Sequence, residues 1–235
     1  MNHHGILYSI GVGPGDPELL TLKALRTIER CPVLAAPRTS GGEMLALDIV
    51  RENAALDGKT ILPLDFTMSR DTASRERDHR AAADAVEAFL AAGRDVALLN
   101  LGDVSIYATS GYVRELLKAR GYESVMIPGV TSFCAAAARL DTALTDMDEP
   151  LHIVPAGAWS MEEALDYPGT KVLMKSGKSM PKVLETLRNR DCLAVSSMVA
   201  NCGLPGETVC PDLCGELPSD QGYFVTVVVK GTGRR

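Results

Sequence analysis

Ile6-Leu7-Tyr8-Ser9-Ile10-Gly11-Val12-Gly13-Pro14-Gly15-Asp16-Pro17 is the stretch on which the reading of this chain turns. An apolar run of strand type ends in a turn built on three alternate glycines, and a helix is expected from Pro17 onward. Glycine lets the backbone bend sharply and lets a ligand come close to the main chain. Asp16 suits an N-cap, and Pro17 suits the first helical position, where a missing N–H does no harm. Open α/β folds place ligands at strand-turn-helix junctions of this form. The dinucleotide fingerprint G-x-G-x-x-G is broken, because its third glycine would fall on Asp16.

Around this stretch lie 235 residues, 46% hydrophobic and 23% charged, enough for one large domain or two small ones with a sizeable core. Alanine-rich helical segments alternate with short Val/Ile/Leu runs, which points to an α/β class. A formal net charge of -6 argues against nucleic acid and anionic membranes as partners. No signal peptide is recognisable, and no run of about 18 apolar residues offers a membrane span. The six cysteines are dispersed and form no C-x-x-C pair, so reduced thiols in the cytoplasm are expected. The spacing of Cys202, Cys210 and Cys214 is wrong for common zinc ligation, and no metal is expected.

Strands are expected near 6–11, 32–36, 60–64, 95–100 and 123–127, with helices over 17–30, 43–54, 73–92 and 107–120. After Pro128-Gly129 the organisation restarts with a helix near 131–140. Strands near 151–155, 170–174, 192–198 and 223–229 follow, with a helix near 180–189. The expected domains are therefore 1–128 and 129–235. Two further strand-end loops share the character of the first. Asn100-Leu101-Gly102-Asp103-Val104-Ser105-Ile106-Tyr107 follows a nearly all-apolar strand, and Asp103 could accept hydrogen bonds or simply cap a helix. Ile127-Pro128-Gly129-Val130-Thr131-Ser132-Phe133 again ends a strand in a Pro-Gly turn, with hydroxyls at a helix start. Any one of these loops could be an ordinary turn, but three in order suggest a shared site.

Residues 11–21, 102–107 and 128–133 together resemble the tetrapyrrole methylase family, whose members transfer methyl groups from S-adenosylmethionine to cobalamin and sirohaem precursors. Ala36-Pro37-Arg38, Leu64-Asp65-Phe66-Thr67-Met68-Ser69-Arg70 and the run from Tyr107 to Tyr112 look most like the branch that acts at C20 of precorrin-2 or its cobalt form. The resemblance implies two α/β domains with a cofactor cleft between them, and a homodimer. It places Pro14 beside S-adenosylmethionine and Leu101, Gly102 and Asp103 around its methionine part. Ile106 and Tyr107 would line the same pocket, and Thr131 and Ser132 would hydrogen-bond the cofactor. In the second domain it points to Met174 on the adenosine side, with Asn201, Cys202 and Thr226 as further candidates. Core packing is the competing reading for Met174. Where the family's second motif has proline after Gly-Asp, this chain has Val104, which leaves the turn less pre-set.

Methyl transfer from a sulfonium to an electron-rich ring carbon needs little covalent help. Holding the reactants in line can contribute on the order of 7–11 kcal/mol, and no catalytic residue is assigned. The substrate carries a ring of carboxylates although the protein is acidic, so a local cation cluster is required. Arg38, Arg70, Arg75, Arg77 and Arg80 are the candidates, against the reading of a solvated face interleaved with Asp71, Glu76 and Asp78. His152 is expected to be structural, and Trp159 could face the macrocycle or cover the core. A related enzyme methylating another ring position is the nearest alternative. Relatives acting on ribosomal RNA or a protein histidine derivative fit the charge and the C20-like segments less well. From other classes, the broken fingerprint disfavours a nucleotide-dependent dehydrogenase, and the full set of cofactor loops disfavours a non-catalytic tetrapyrrole carrier.

Overall fold

A computed structural model describes residues 4–67, 71–157, 161–215, 217 and 222–231. Arg70 and Trp159 lie outside these residues. The chain divides into two compact units, Met1–Thr131 and Ser132–Arg235.

In the first unit β1 (Leu7–Gly11), β2 (Val33–Arg38), β3 (Thr60–Asp65), β4 (Val96–Asn100) and β5 (Ser124–Ile127) form one sheet in the order β3-β2-β4-β1-β5. Every pairing in it is parallel. Side chains of successive strand residues point to opposite faces, and both faces here are apolar. Tyr8, Ile10, Leu34, Ala36, Ala97 and Leu99 pack with Ile28 of α1 (Leu22–Arg30) and Leu47 and Val50 of α2 (Leu45–Arg51). Leu7, Val33, Ala35, Val96 and Leu98 pack instead with α3 (Thr72–Ala91) and α4 (Ser110–Ala119), through Ala83, Val86, Leu90, Val113 and Leu117. The chain thus leaves β1 over one face and its neighbour β4 over the other. Adjacent strands whose connections diverge in this way define the crevice where open α/β sheets hold ligands.

The helix expected over 17–30 is two elements. Asp16 Oδ1 accepts from Glu18 N at 2.9 Å and caps a single 3₁₀ turn, Pro17–Leu19. Thr21 then turns extended (φ -70°, ψ 146°), and its Oγ1 accepts from Ala24 N at 3.1 Å, so α1 starts afresh at Leu22. A second cap in the sequence outweighs continuation of the first turn. The helix expected from 107 begins at Ser110, because Tyr107 has φ +50°, a left-handed value that no α-helix admits.

In the second unit α5 (Ser132–Arg139) precedes β6 (Leu151–Pro155), α6 (Met161–Ala164), β7 (Thr170–Met174) and α7 (Met180–Asn189). β8 (Ser196–Ala200), β9 (Thr208–Cys210) and β10 (Val225–Val229) complete a sheet of order β6-β7-β10-β8-β9. Only β6 and β7 pair in parallel; β10 runs antiparallel to β7 and β8, and β9 antiparallel to β8. β10 is buried along its whole length, as its run of β-branched residues suggests. The strand expected at 192–198 starts only at Ser196, because Leu193–Val195 form a 3₁₀ turn. α6 and β9 are too short to leave a periodic signal and are not anticipated.

Thr21→Ala should lower the urea midpoint of the first unit, by about 1 kcal/mol of stability, whereas Thr21→Ser should retain most of it. Circular dichroism during urea unfolding reads this directly.

Candidate active site

The loops that leave β1, β4 and β5 meet through their backbones. Gly102 N donates to Gly13 O at 2.7 Å and Gly13 N donates to Gly102 O at 3.3 Å, forming a one-residue antiparallel bridge. Both glycines have positive φ, +84° and +75°. Gly11 and Gly129 serve a different need. A Cβ on Gly11 would lie 2.6 Å from Gly102 O, and one on Gly129 would lie 2.3 Å from the same oxygen. No side chain fits at either position. A Cβ on Gly102, in contrast, would meet nothing within 4 Å. The main chain of the β4 loop is therefore packed against glycine on one side and open on the other.

Two polar side chains hold this arrangement. Asn100, the last residue of β4, donates from Nδ2 to Leu101 O at 2.8 Å and to Asp103 O at 3.2 Å. Its Oδ1 accepts from Ser110 Oγ at 3.1 Å, at the start of α4. Asp103, 8% exposed, accepts from Ser105 N at 2.8 Å and from Ser105 Oγ through Oδ1, and from Gly129 N at 2.9 Å through Oδ2. Burial alone would push its carboxyl up. The hydrogen bonds from Ser105, Gly129 and Val104 outweigh that and hold it below the ordinary 3.8. Asp103 is thus the clasp between the β4 and β5 loops. Val104, where a proline would fix the turn, is buried, and the turn owes its shape to Asn100 and Asp103.

The structure places the other sequence candidates as follows. Pro14 is buried beside the Gly13 bridge, while Leu101 and Ile106 are half-buried in or next to the β4 loop. Tyr107 is 44% exposed at the end of that loop. Thr131 follows the β5 turn, and its Oγ1 is buried without a hydrogen-bond partner. Ser132 is the first residue of α5.

Within the second unit, Met174, Asn201, Cys202 and Thr226 come to one sheet edge. Met174 ends β7, one step beyond the Leu173–Val227 pair, and its carbonyl accepts from Ala156 N at 2.8 Å. Asn201 (φ +50°) donates from its backbone N to Phe224 O at 2.8 Å and from Nδ2 to Gly206 O at 3.4 Å. Cys202 and Thr226 are 8% and 6% exposed. Ser176 N donates to Val225 O at 3.1 Å, and Ser176 Oγ donates to Leu173 O at 2.9 Å. A Cβ on Gly177 would lie 2.3 Å from Gly222 O, so here too glycine permits backbone contact between loops.

The arginines are dispersed over helix and strand ends. Arg38 ends β2 and makes a bidentate pair with Asp65 at the end of β3, at 2.8 and 2.7 Å. Arg75 donates to Thr72 Oγ1 at 3.4 Å, Arg77 to Ser74 Oγ at 2.9 Å, and Arg80 faces Glu76 at 3.6 Å, all on the first turns of α3. His152 Nε2 lies 2.9 Å from Pro168 O, a structural contact. Sequence reasoning missed Asn100, Ser110 and Ser176 as organisers. An Asn at a strand end just before Gly-Asp is the one available signal, since its amide can bridge the turn.

Asp103→Asn should destabilise the first unit by about 1–3 kcal/mol at pH 7. Because the folded carboxyl titrates below 3.8, its contribution is present above that value and lost as pH falls through the depressed one. The difference between wild type and variant in urea unfolding should therefore shrink from pH 7 to pH 3.

Comparison with known proteins gives a consistent result. The family described as Tetrapyrrole (Corrin/Porphyrin) Methylases matches residues 6–218. The chain is 36% identical over 186 residues, 79% of this chain and 78% of the relative, to the "Probable cobalt-precorrin-2 C(20)-methyltransferase" of Methanocaldococcus jannaschii. It is 31% identical to the cobalt-precorrin-2 C(20)-methyltransferase of Salmonella typhimurium, over 96% of each chain. Uroporphyrin-III C-methyl transferase from Thermus thermophilus, crystallised with S-adenyl homocysteine, has the same fold. Its TM-score is 0.71 at 21% identity, covering 96% of this chain and 97% of that one. On the match over 6–218 and these identities, the chain belongs to the tetrapyrrole methylase family.

Proposed function

We propose that this chain is an S-adenosylmethionine-dependent methyltransferase that adds a methyl group to C20 of precorrin-2 or cobalt-precorrin-2 in cobalamin biosynthesis. The observation that carries the reading is the main-chain cradle at Gly102, in a chain whose relatives over 79% and 96% of its length bear C(20)-methyltransferase names. The residues present fit the cofactor. The room above Gly102 admits a ligand against backbone, and Thr131 Oγ1, buried without a partner, can bond one. When bound, S-adenosylmethionine supplies a methyl group activated by its sulfonium.

The chain's own contribution is placement. Pro14, Leu101, Gly102, Ile106, Tyr107 and Thr131 would hold the cofactor on the first unit's loops, joined by Ser132 at the start of α5, and Asp103 would act by fixing the loop that carries Gly102. Met174, Asn201, Cys202 and Thr226 are the proposed adenosine-side residues. Arg75 and Arg80 are proposed to meet substrate carboxylates. Arg38 would have to exchange Asp65 for them, because its guanidinium is already paired. A homodimer in the cytoplasm completes the reading and rests on the family resemblance.

The decisive assay incubates the purified chain with S-adenosylmethionine and precorrin-2, in parallel with the cobalt-loaded form, and follows mass, visible spectrum and the carbon methylated. One methyl at C20 is expected, and the preferred form places the step before or after cobalt insertion. Tight cofactor binding without methyl transfer to either form would overturn the substrate. Methylation at another ring carbon would overturn the position. In a separate titration, Arg75→Ala should weaken tetrapyrrole binding about tenfold and leave S-adenosylhomocysteine binding unchanged.

A further inference from the structure

We infer that Tyr112, backed by His79 and Phe66, is a stacking platform for a face of the tetrapyrrole ring; this rests on the tetrapyrrole substrate proposed above. Tyr112 lies in the first turn of α4 and is 62% exposed. One face of its ring is covered by the His79 imidazole, with centroids 4.5 Å apart and planes 6° from parallel. Phe66 lies tilted against the imidazole, with centroids 6.0 Å and planes 54° apart. A large exposed aromatic ring ordinarily turns freely and recognises little; this one is stacked parallel on the imidazole beneath it.

Its position suits the role. Phe66 directly follows β3, and Thr67 N donates to Asp78 Oδ2 at 2.7 Å, tying that stretch to α3 beside His79. The ladder therefore runs along the carboxyl edge of the first sheet, the edge that also carries the Gly102 cradle. α4 is the helix that the cradle loop enters, with Tyr107 five residues before Tyr112. Arg75 stands one helical turn before His79 on α3, close enough to share its face. An exposed ring face, with a guanidinium one turn along α3 from the imidazole that covers its other face, matches a flat, polarisable molecule rimmed by carboxylates. The charged groups acting on His79 are Asp78, Arg75 and Glu76. Burial outweighs their sum and keeps the imidazole below its ordinary 6.5, so a neutral ring backs Tyr112 at pH 7.

Titration with sirohydrochlorin, a stable carboxylate-rimmed tetrapyrrole, tests the platform, with S-adenosylhomocysteine binding measured in parallel by calorimetry. Tyr112→Ala should raise the Kd for sirohydrochlorin about tenfold, and Tyr112→Phe should keep it within about twofold. Both should bind S-adenosylhomocysteine like the wild type. His79→Ala, which leaves Tyr112 without its backing, should fall between the two. Wild-type affinity for sirohydrochlorin in Tyr112→Ala would overturn the platform. So would equal loss of both ligands, which would make Tyr112 a support of the loop. Failure of the wild type itself to bind sirohydrochlorin, with S-adenosylhomocysteine still bound, would overturn the tetrapyrrole substrate and the platform with it.

Discussion

The carbonyl oxygen of Gly102 sits against two glycine backbones, those of Gly11 and Gly129, at distances that no Cβ could share. Much of the first unit follows from this packing. It draws the ends of β1, β4 and β5 together at the point where the chain departs over opposite faces of the sheet. It also leaves open space on the side of the β4 loop where a Cβ on Gly102 would stand. Close approach of backbones is unfavourable unless their polar groups are matched, and here they are. The Gly13–Gly102 bridge and the Asp103–Gly129 bond pair the groups that the approach would otherwise strip of water. Glycine supplies the space and one buried carboxylate supplies the tie.

Electrostatics are arranged very differently at the middle of this edge and at its β3 end. Near β4 a single depressed carboxylate is enclosed and fully engaged in hydrogen bonds. Toward β3 the first turns of α3 carry an exposed mixture of Arg75, Glu76, Arg77 and Arg80. Exposed pairs such as Arg80–Glu76 contribute little to stability and exchange partners readily. Such a surface can meet a carboxylate-rich molecule without a large reorganisation, whereas the Asp103 clasp is poorly suited to release its partners.

Local patterns in the chain made most of this architecture legible. The five parallel strands of the first unit and the alternation with helices follow from apolar runs and turn residues, and β10 announces itself through Val225–Val229. The three strand-end loops were legible as a group, because each carries glycine or hydroxyls where a strand stops. What escaped was local competition. Thr21 outbids the turn begun at Pro17, and Leu193–Val195 look like strand but coil once before β8. The direction of Asp103 was also hidden. The sequence shows a carboxylate in a loop, but only the fold reveals that a backbone N–H from residue 129 reaches it. Tyr112 and His79 stand 33 positions apart, and nothing local links them.

The place of β10 has a consequence for how the second unit is made. Val225–Val229 follow every other strand of that sheet, yet they lie between β7 and β8. Until they emerge from the ribosome, β6-β7 and β8-β9 are two separate pairs, each with an unsatisfied inner edge. The first sheet makes the same demand earlier, because β4 is made after β1 and β2 and enters between them. Synthesis therefore yields a first unit that can close while the second is still open, and the nascent chain must shield two strand edges until its final strand inserts.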